Sequence, residues 1–190
     1  MSLLTCYIDT NIFIEYIFRT HITENAKRNT ACCKLIDKGV EGLFNIYISD
    51  YTLMEISQHL TDYYLMLKVI KDGFSFREFS RTRKDYTLDD EEAIFIAKIV
   101  EGLRTSEYLT YVETEEITGD FYKIVMGYVK EYIDFLDALH LRTAIDVECD
   151  YFLTKDVELR KRAQALITKK IITEPIKMST PPSFLRILKK

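Results

Sequence analysis

Four acidic residues are spread along the chain at positions from which an α/β fold could bring them together: Asp9, Glu55, Asp137 and Asp156. Four carboxylates at one place would repel one another, so either some are protonated or a cation lies among them. A site of Asp and Glu oxygens, without Cys or His, favours Mg²⁺ or Mn²⁺ over Zn²⁺. Such ions lower the pKa of a bound water and stabilise charge on a phosphoryl oxygen, which makes a phosphodiester the natural substrate.

Short apolar segments are expected to position these acids. Residues 3–8 are predicted to form a buried strand that ends before Asp9, and residues 151–154 a strand that ends shortly before Asp156. Residues 44–48 alternate in polarity and predict another strand; Glu55 falls in the helix expected after it, and Asp137 in the helix before residues 151–154. Because sites in parallel sheets form beyond the carboxyl ends of the strands, this order can gather the acids at one edge.

The predicted elements alternate along the chain as strand, helices, strand, helices, strand, helix, strand. This order predicts an α/β fold with a central, mostly parallel sheet of four to five strands and helices on both faces. Six Gly and three Pro are few breakers for 190 residues and favour long helices. Less distinct segments are assigned as follows: 23–38 a helix, 74–84 a loop or short strand, 105–118 unassigned, 121–144 two helices meeting near Tyr132, and 171–172 an edge strand.

The composition is that of a globular protein of one domain, with 47% hydrophobic and 29% charged residues. A net charge of −4 disfavours a general nucleic-acid binder but not a nuclease with a carboxylate site. The four cysteines suit neither a zinc site nor a disulfide framework, so reduced thiols are expected. No signal-peptide pattern and no apolar run long enough for a membrane span is visible, which predicts a cytoplasmic protein.

Four sequence blocks resemble the PIN-domain family of metal-dependent nucleases, and they occur in the family's order. The blocks are Tyr7-Ile8-Asp9-Thr10-Asn11, Ile48-Ser49 with Leu53-Met54-Glu55-Ile56, Asp137-Ala138-Leu139-His140-Leu141, and Asp150-Tyr151-Phe152-Leu153-Thr154-Lys155-Asp156. The ending Ser179-Thr180-Pro181-Pro182-Ser183-Phe184-Leu185 is also similar to a common PIN ending. The closest subgroup is the VapC-type toxin ribonucleases. The resemblance implies a single three-layer α/β/α domain over residues 1–190.

The resemblance also implies the roles of the site residues. Asp9, Glu55, Asp137 and Asp156 would be the catalytic, metal-binding residues for Mg²⁺ or Mn²⁺. Asn11 and Thr154 would orient these carboxylates by hydrogen bonds. The implied activity is an endoribonuclease of the toxin type, with RNA as substrate, an antitoxin protein as partner and a homodimer as its assembly. Beside the resemblance, Asp134 lies one helical turn before Asp137 and is a supporting residue that competes for its role, and Arg160 and Arg162 on the helix after Asp156 are candidates for RNA contact. The chain departs from the VapC subgroup in length, and a helical insertion is expected around residues 105–130.

Other interpretations of the same residues stay open at this point. Asp9 and Asp156 each precede a predicted helix and could simply cap it. His140, one helical turn after Asp137, could touch the site or belong to the core. A non-catalytic PIN-like module that binds RNA or protein, or a housekeeping RNA-processing nuclease, would share the fold.

Overall fold

The computed structural model describes residues 3–22, 29–114 and 119–189. The chain divides into two compact units, one of Met1–Thr52 with Glu107–Lys190 and the other of Leu53–Ser106. The first unit contains the sheet and the second is helical. The long helix α3 (Asp50–Lys71) begins in the first unit and continues in the second.

A five-stranded sheet forms the centre of the first unit. The strands are β1 (Thr5–Ile8), β2 (Asn45–Ser49), β3 (Leu109–Val112), β4 (Tyr151–Leu153) and β5 (Lys177–Ser179). Their order across the sheet is β3-β2-β1-β4-β5, and every pairing is parallel. Tyr7 pairs with Tyr47 on one side and with Phe152 on the other. The predicted parallel α/β architecture, flanked by helices, is thus confirmed.

Helices flank this sheet within the first unit. They are α1 (Thr10–Ile17), which continues as a π-helical turn (Phe18–Ile22), α2 (Ala31–Val40), α6 (Gly119–Lys130), α7 (Phe135–Asp146), α8 (Val157–Thr168) and α9 (Pro181–Ile187). The predicted break near Tyr132 is confirmed, because this residue lies between α6 and α7 with a φ of 68°. The helix predicted over residues 23–38 begins only at Ala31, capped by Thr30, and residues 23–28 lie outside the described part of the chain.

One expectation about the strands was wrong, and one strand had no prediction. Residues 171–172 form bends, and the strand at that edge is β5, which begins at Lys177. Residues 105–118, unassigned from the sequence, contain β3, which pairs with β2. Asp50 at the start of α3 supports the end of β3, since it accepts bonds from the Tyr111 hydroxyl and from the backbone N–H of Thr114, the latter at 2.9 Å. The segment expected as a helical insertion, 105–130, therefore holds a strand of the sheet before α6.

The apolar faces of β1, β4, α7 and α8 form much of the core of the first unit. Helix α7 is buried along most of its length, and β4 is buried on both faces, as strands in the middle of parallel sheets are. The four cysteines are buried and free, as expected.

The second unit consists of the rest of α3, the short helix α4 (Phe79–Thr82) flanked by two 3₁₀ turns (Phe76–Glu78 and Arg83–Asp85), and α5 (Asp90–Arg104). The turns replace the loop or strand predicted for residues 74–84. Asp89 and Glu92 form a capping box at the start of α5. Lys68 of α3 bonds Glu92 at 2.5 Å, which ties these two helices together within the unit.

Candidate active site

The strand order reverses direction beside β1, and this is where the candidate site lies. From β1 the chain adds β2 and β3 on one side and later β4 and β5 on the other. Ligands of open parallel sheets bind at such a switch point, beyond the carboxyl ends of the strands. Asp9 directly follows β1 there, and its backbone N–H donates to the carbonyl of Leu153 at the end of β4 at 3.0 Å.

Asp9 is 4% exposed and is held by two side chains from the neighbouring segments. The amide of Asn11 and the hydroxyl of Thr154 both donate to its Oδ2 atom, each at 2.5 Å. The amide orientation of Asn11 is consistent, because its Oδ1 atom accepts from the backbone N–H of Lys155 at 3.2 Å. Asp9 occupies the N-cap position of α1, but its side chain makes no capping hydrogen bond to the helix. The structure brings Asp9, Asn11 and Thr154 together.

Asp156 lies two residues beyond Thr154 and does cap a helix. Its Oδ1 atom accepts from the backbone N–H groups of Glu158 at 2.7 Å and Leu159 at 2.9 Å at the start of α8. Its own N–H donates to the Thr154 hydroxyl at 2.9 Å, which connects it to the Asp9 cluster. Both capping bonds end on Oδ1. A carboxylate has two oxygens that can accept hydrogen bonds or coordinate a cation, and Oδ2 takes no part in the capping.

Asp137 lies in the first turn of α7 and is partly buried. Burial, and then the negative charges of Asp9, Asp134 and Asp156, raise its pKa from 3.8 to about 7. Charges act in this way only across short distances, so these carboxyl groups share one neighbourhood. Asp134 itself caps α7 by accepting from the N–H of Leu136 at 3.0 Å. Asp134 therefore bonds the first turn of the helix that carries Asp137.

The negative charge of these residues favours a bound cation, whereas their side-chain positions do not form a complete ligand set. Within residues 3–22, 29–114 and 119–189, no three His, Cys, Asp or Glu side chains surround a common point as metal ligands. Yet burial, and then the charges of the neighbouring carboxylates, disfavour Asp137 as an anion, and a divalent ion would offset that penalty. The donor set is all oxygen, which suits Mg²⁺ or Mn²⁺.

Glu55 lies in the second turn of α3, within the unit Leu53–Ser106, and is half-buried. Asp9, Asp137 and Asp156 belong to the other unit. The placement of Glu55 among the carboxylates therefore stays a prediction from the sequence.

The two arginines predicted to meet RNA lie on α8. Arg162 donates to the backbone carbonyl of Tyr132, which fixes it to the turn between α6 and α7. Arg160 is half-buried, and within the described residues its Nε atom has no hydrogen-bond partner. The role of both residues in RNA binding remains a prediction.

A buried polar cluster below the site escaped the sequence analysis. The hydroxyl of Tyr7 lies 2.6 Å from the Ser49 hydroxyl, 3.3 Å from the Thr52 hydroxyl and 2.8 Å from Nδ1 of His140. Burial raises the pKa of Tyr7 far above its usual value, so the hydroxyl stays neutral. His140 is 1% exposed, which settles it as a core residue. The cluster connects β1, which leads to Asp9, with the helix that carries Asp137.

A family model described as PIN domain matches residues 6–165 of the chain. The chain belongs to the PIN domain family. The matched range includes all four predicted metal-binding acids, and the parallel sheet flanked by helices agrees with a PIN-like fold. No curated protein and no solved structure gives a significant match.

Membership of the PIN family indicates a nuclease-type function, because PIN domains are generally nucleases that act on nucleic acid with divalent metal ions. The switch-point carboxylates are where this chain would carry such chemistry. None of the helices in the described ranges is both long enough and apolar enough to cross a bilayer.

Proposed function

We propose that this PIN domain is a divalent-metal-dependent endoribonuclease that hydrolyses RNA phosphodiesters at the switch point of its sheet. The observation that carries this proposal is the concentration of negative charge around Asp137 from Asp9, Asp134 and Asp156. A fold gains nothing in stability from such repulsion, and it is typical of a site built to bind a cation.

The proposed roles follow from the contacts of each residue. Asp9 is the central ligand, because Asn11 and Thr154 fix its orientation by hydrogen bonds. Asp137 and Asp156 approach from α7 and from the end of β4, and Glu55 is proposed as the fourth ligand. Mg²⁺ or Mn²⁺, when bound, would supply an activated water and stabilise the charge of the phosphate.

The finer assignments rest on the resemblance of the sequence blocks. RNA as the substrate and a homodimer are proposed from the PIN-family resemblance, and a toxin role with an antitoxin protein as partner from the VapC-type resemblance. The cytoplasmic location stays a prediction from the sequence. A housekeeping RNA-processing nuclease would use the same residues, and growth of cells that express the protein alone distinguishes it from a toxin.

The decisive test is cleavage of a labelled, structured RNA by the purified protein in Mn²⁺, Mg²⁺ or EDTA. We expect cleavage only with the metal, and a loss of more than about 100-fold for Asp9→Asn, because loss of a ligand should exceed the 10–100-fold cost of losing an outer partner. Asp120→Asn, the same change at an exposed position on α6, is the matched control and should cleave normally. Both variants should remain folded, as a cooperative thermal unfolding transition would show.

The alternative of a non-catalytic module is separated by a Mn²⁺ titration of the same protein. Absence of both cleavage and Mn²⁺ binding would support a scaffold that binds RNA or protein and would overturn the nuclease. Full activity in a correctly folded Asp9→Asn variant would remove Asp9 from the mechanism.

A further inference from the structure

Two adjoining cavities lie between α2 and α9, on the flank of the candidate site. Their volumes are about 290 and 430 Å³, and Ala31 and Pro182 line both, so they form one continuous depression. We call it the α2–α9 groove and define it by six of its lining residues: Ala31, Lys34, Lys38, Pro182, Arg186 and Lys189.

The groove is basic, although the whole chain carries a net charge of −4. Four cations line its outer cavity, and no carboxylate of the described chain lines that cavity with them. Lys34 and Lys38 are one helical turn apart and so share a face of α2. Part of this charge is already engaged, since Lys38 pairs with Glu41 at 2.5 Å and Arg186 donates to the Ser183 hydroxyl at 3.1 Å.

The inner cavity lies beside the segment that carries the candidate active site. Its lining includes Lys155, which lies between Thr154 and Asp156 and whose backbone N–H donates to Asn11. The Lys155 ammonium forms an ion pair with Glu15 of α1, which also lines this cavity. The groove therefore begins beside the residues that hold Asp9 and runs away from them between two helices.

We infer that the α2–α9 groove holds single-stranded RNA on one side of the scissile phosphate; this inference rests on the proposed nuclease function. Phosphates would meet the cations of the outer cavity, and nucleotides would contact the apolar side chains of Ala31 and Pro182. Single-strand binding sites hold the phosphate backbone in such a positively charged groove. An acidic peptide would also match the charge of the groove, but the position of the groove beside the proposed cleavage site favours RNA.

The test measures binding of a fluorescent, mixed-sequence RNA 12-mer in EDTA, in the Asp9→Asn background, with and without Lys34→Gln plus Arg186→Gln. Lys123→Gln plus Lys130→Gln, on the exposed surface of α6, makes the same charge change and is the control. Loss of two phosphate contacts should lower the slope of log affinity against log salt by about 1.4, so the variant should bind about 25-fold more weakly than its parent at 0.1 M salt if the two bind equally at 1 M. The control should keep the parent's affinity and slope.

A second measurement separates this inference from the nuclease itself. With Asp9 intact, the groove variant should lose cleavage of the 12-mer at limiting RNA but retain hydrolysis of a small chromogenic phosphodiester. Unchanged RNA affinity and salt slope in the groove variant would overturn the inference, even if cleavage is confirmed. Weakened RNA binding in a protein that never cleaves would support the groove and overturn the proposed function. Loss of binding to a poly-glutamate peptide, with RNA binding unchanged, would assign the groove to a protein partner and also overturn the inference.

Discussion

At the residue scale, Asp137 shows how burial and nearby carboxylates disfavour an ionised side chain. Burial and the neighbouring carboxylates raise its pKa from 3.8 to about 7. Between those two pH values the folded chain holds a proton that the unfolded chain has released. Folding takes up this proton, so the contribution of Asp137 to the free energy of unfolding falls as the pH rises from about 4 through 7.

This sign gives a prediction for Asp137→Asn. In EDTA above pH 7, the variant should melt at a higher temperature than the wild type, because it no longer places a buried anion beside other carboxylates. The difference should shrink towards pH 4, where Asp137 of the wild type is also neutral. Thermal melts from pH 4 to 8 test this, and identical pH profiles for the two proteins would contradict it.

The sequence identifies the acidic residues, but it does not show which of them caps a helix and which bonds other side chains. Asp9 and Asp156 both follow a buried strand and precede a helix, so the same pattern allows either to be a cap. Of these two residues, only Asp156 makes side-chain hydrogen bonds that cap its helix, whereas the Asp9 side chain bonds Asn11 and Thr154. That choice depends on Thr154, which is distant in sequence and adjacent only across paired strands, and single-sequence patterns do not contain such pairings.

At the scale of elements, α2 packs on β2 through a glycine. A Cβ atom built on Gly39 would lie 2.2 Å from Cδ1 and 2.6 Å from Cγ1 of Ile46. These distances are too short for carbon atoms, so any larger residue must displace the Ile46 side chain. By contrast, nothing lies within 4 Å of the same position on Gly127 in α6.

These two glycines make a matched pair for urea unfolding. Gly39→Ala should lower the free energy of unfolding by about 1–3 kcal/mol, the usual cost of overpacking a core. Gly127→Ala should raise it by about 0.5–1 kcal/mol, because alanine restricts the unfolded chain and favours the helix. Equal shifts of the two midpoints would show that the close approach of α2 to β2 is absent in solution.

Elements with a strong internal pattern were predicted and those that depend on their neighbours were not. Residues 3–8, 44–48 and 151–154 are apolar or alternating, and they correspond to β1, β2 and β4. β3 (Leu109–Val112) is only partly buried and lies within the polar, acidic segment 105–118, so its four residues depend on pairing with β2 for their strand conformation. β5 is similarly short and lies at the opposite edge, and the sequence pattern favours the more apolar residues 171–172 over it.

At the scale of the whole molecule, one helix of each unit differs strongly in burial. Helix α7 in the first unit has seven buried residues, whereas α5 in the second has only Ile96. The ion pair of Lys68 with Glu92, which holds α5 to α3, is partly exposed and contributes little. Local stability follows buried apolar contact, so it should differ between α7 and α5.

Native-state hydrogen exchange measures this difference directly. The backbone amides of α5 should exchange through a local opening that needs less free energy than the opening that exposes those of α7. Addition of urea below the unfolding midpoint should therefore label α5 first. Equal protection of the two helices at every urea concentration would show instead that the chain opens only as a single cooperative unit.

The buried cluster around Tyr7 has a further consequence for how the chain selects its native alignment. A slip of β1 by one residue against its neighbours would turn Tyr7 to the opposite face of the sheet. The ring nitrogen of His140 and the hydroxyl of Ser49 would then remain in the core without their partner, at a cost of about 1–3 kcal/mol for each. The same slip would move Asp9 away from Thr154. The strand that aligns the carboxylates therefore also lowers the stability of off-register states. A chain with a misaligned site would also be a poorly folded one.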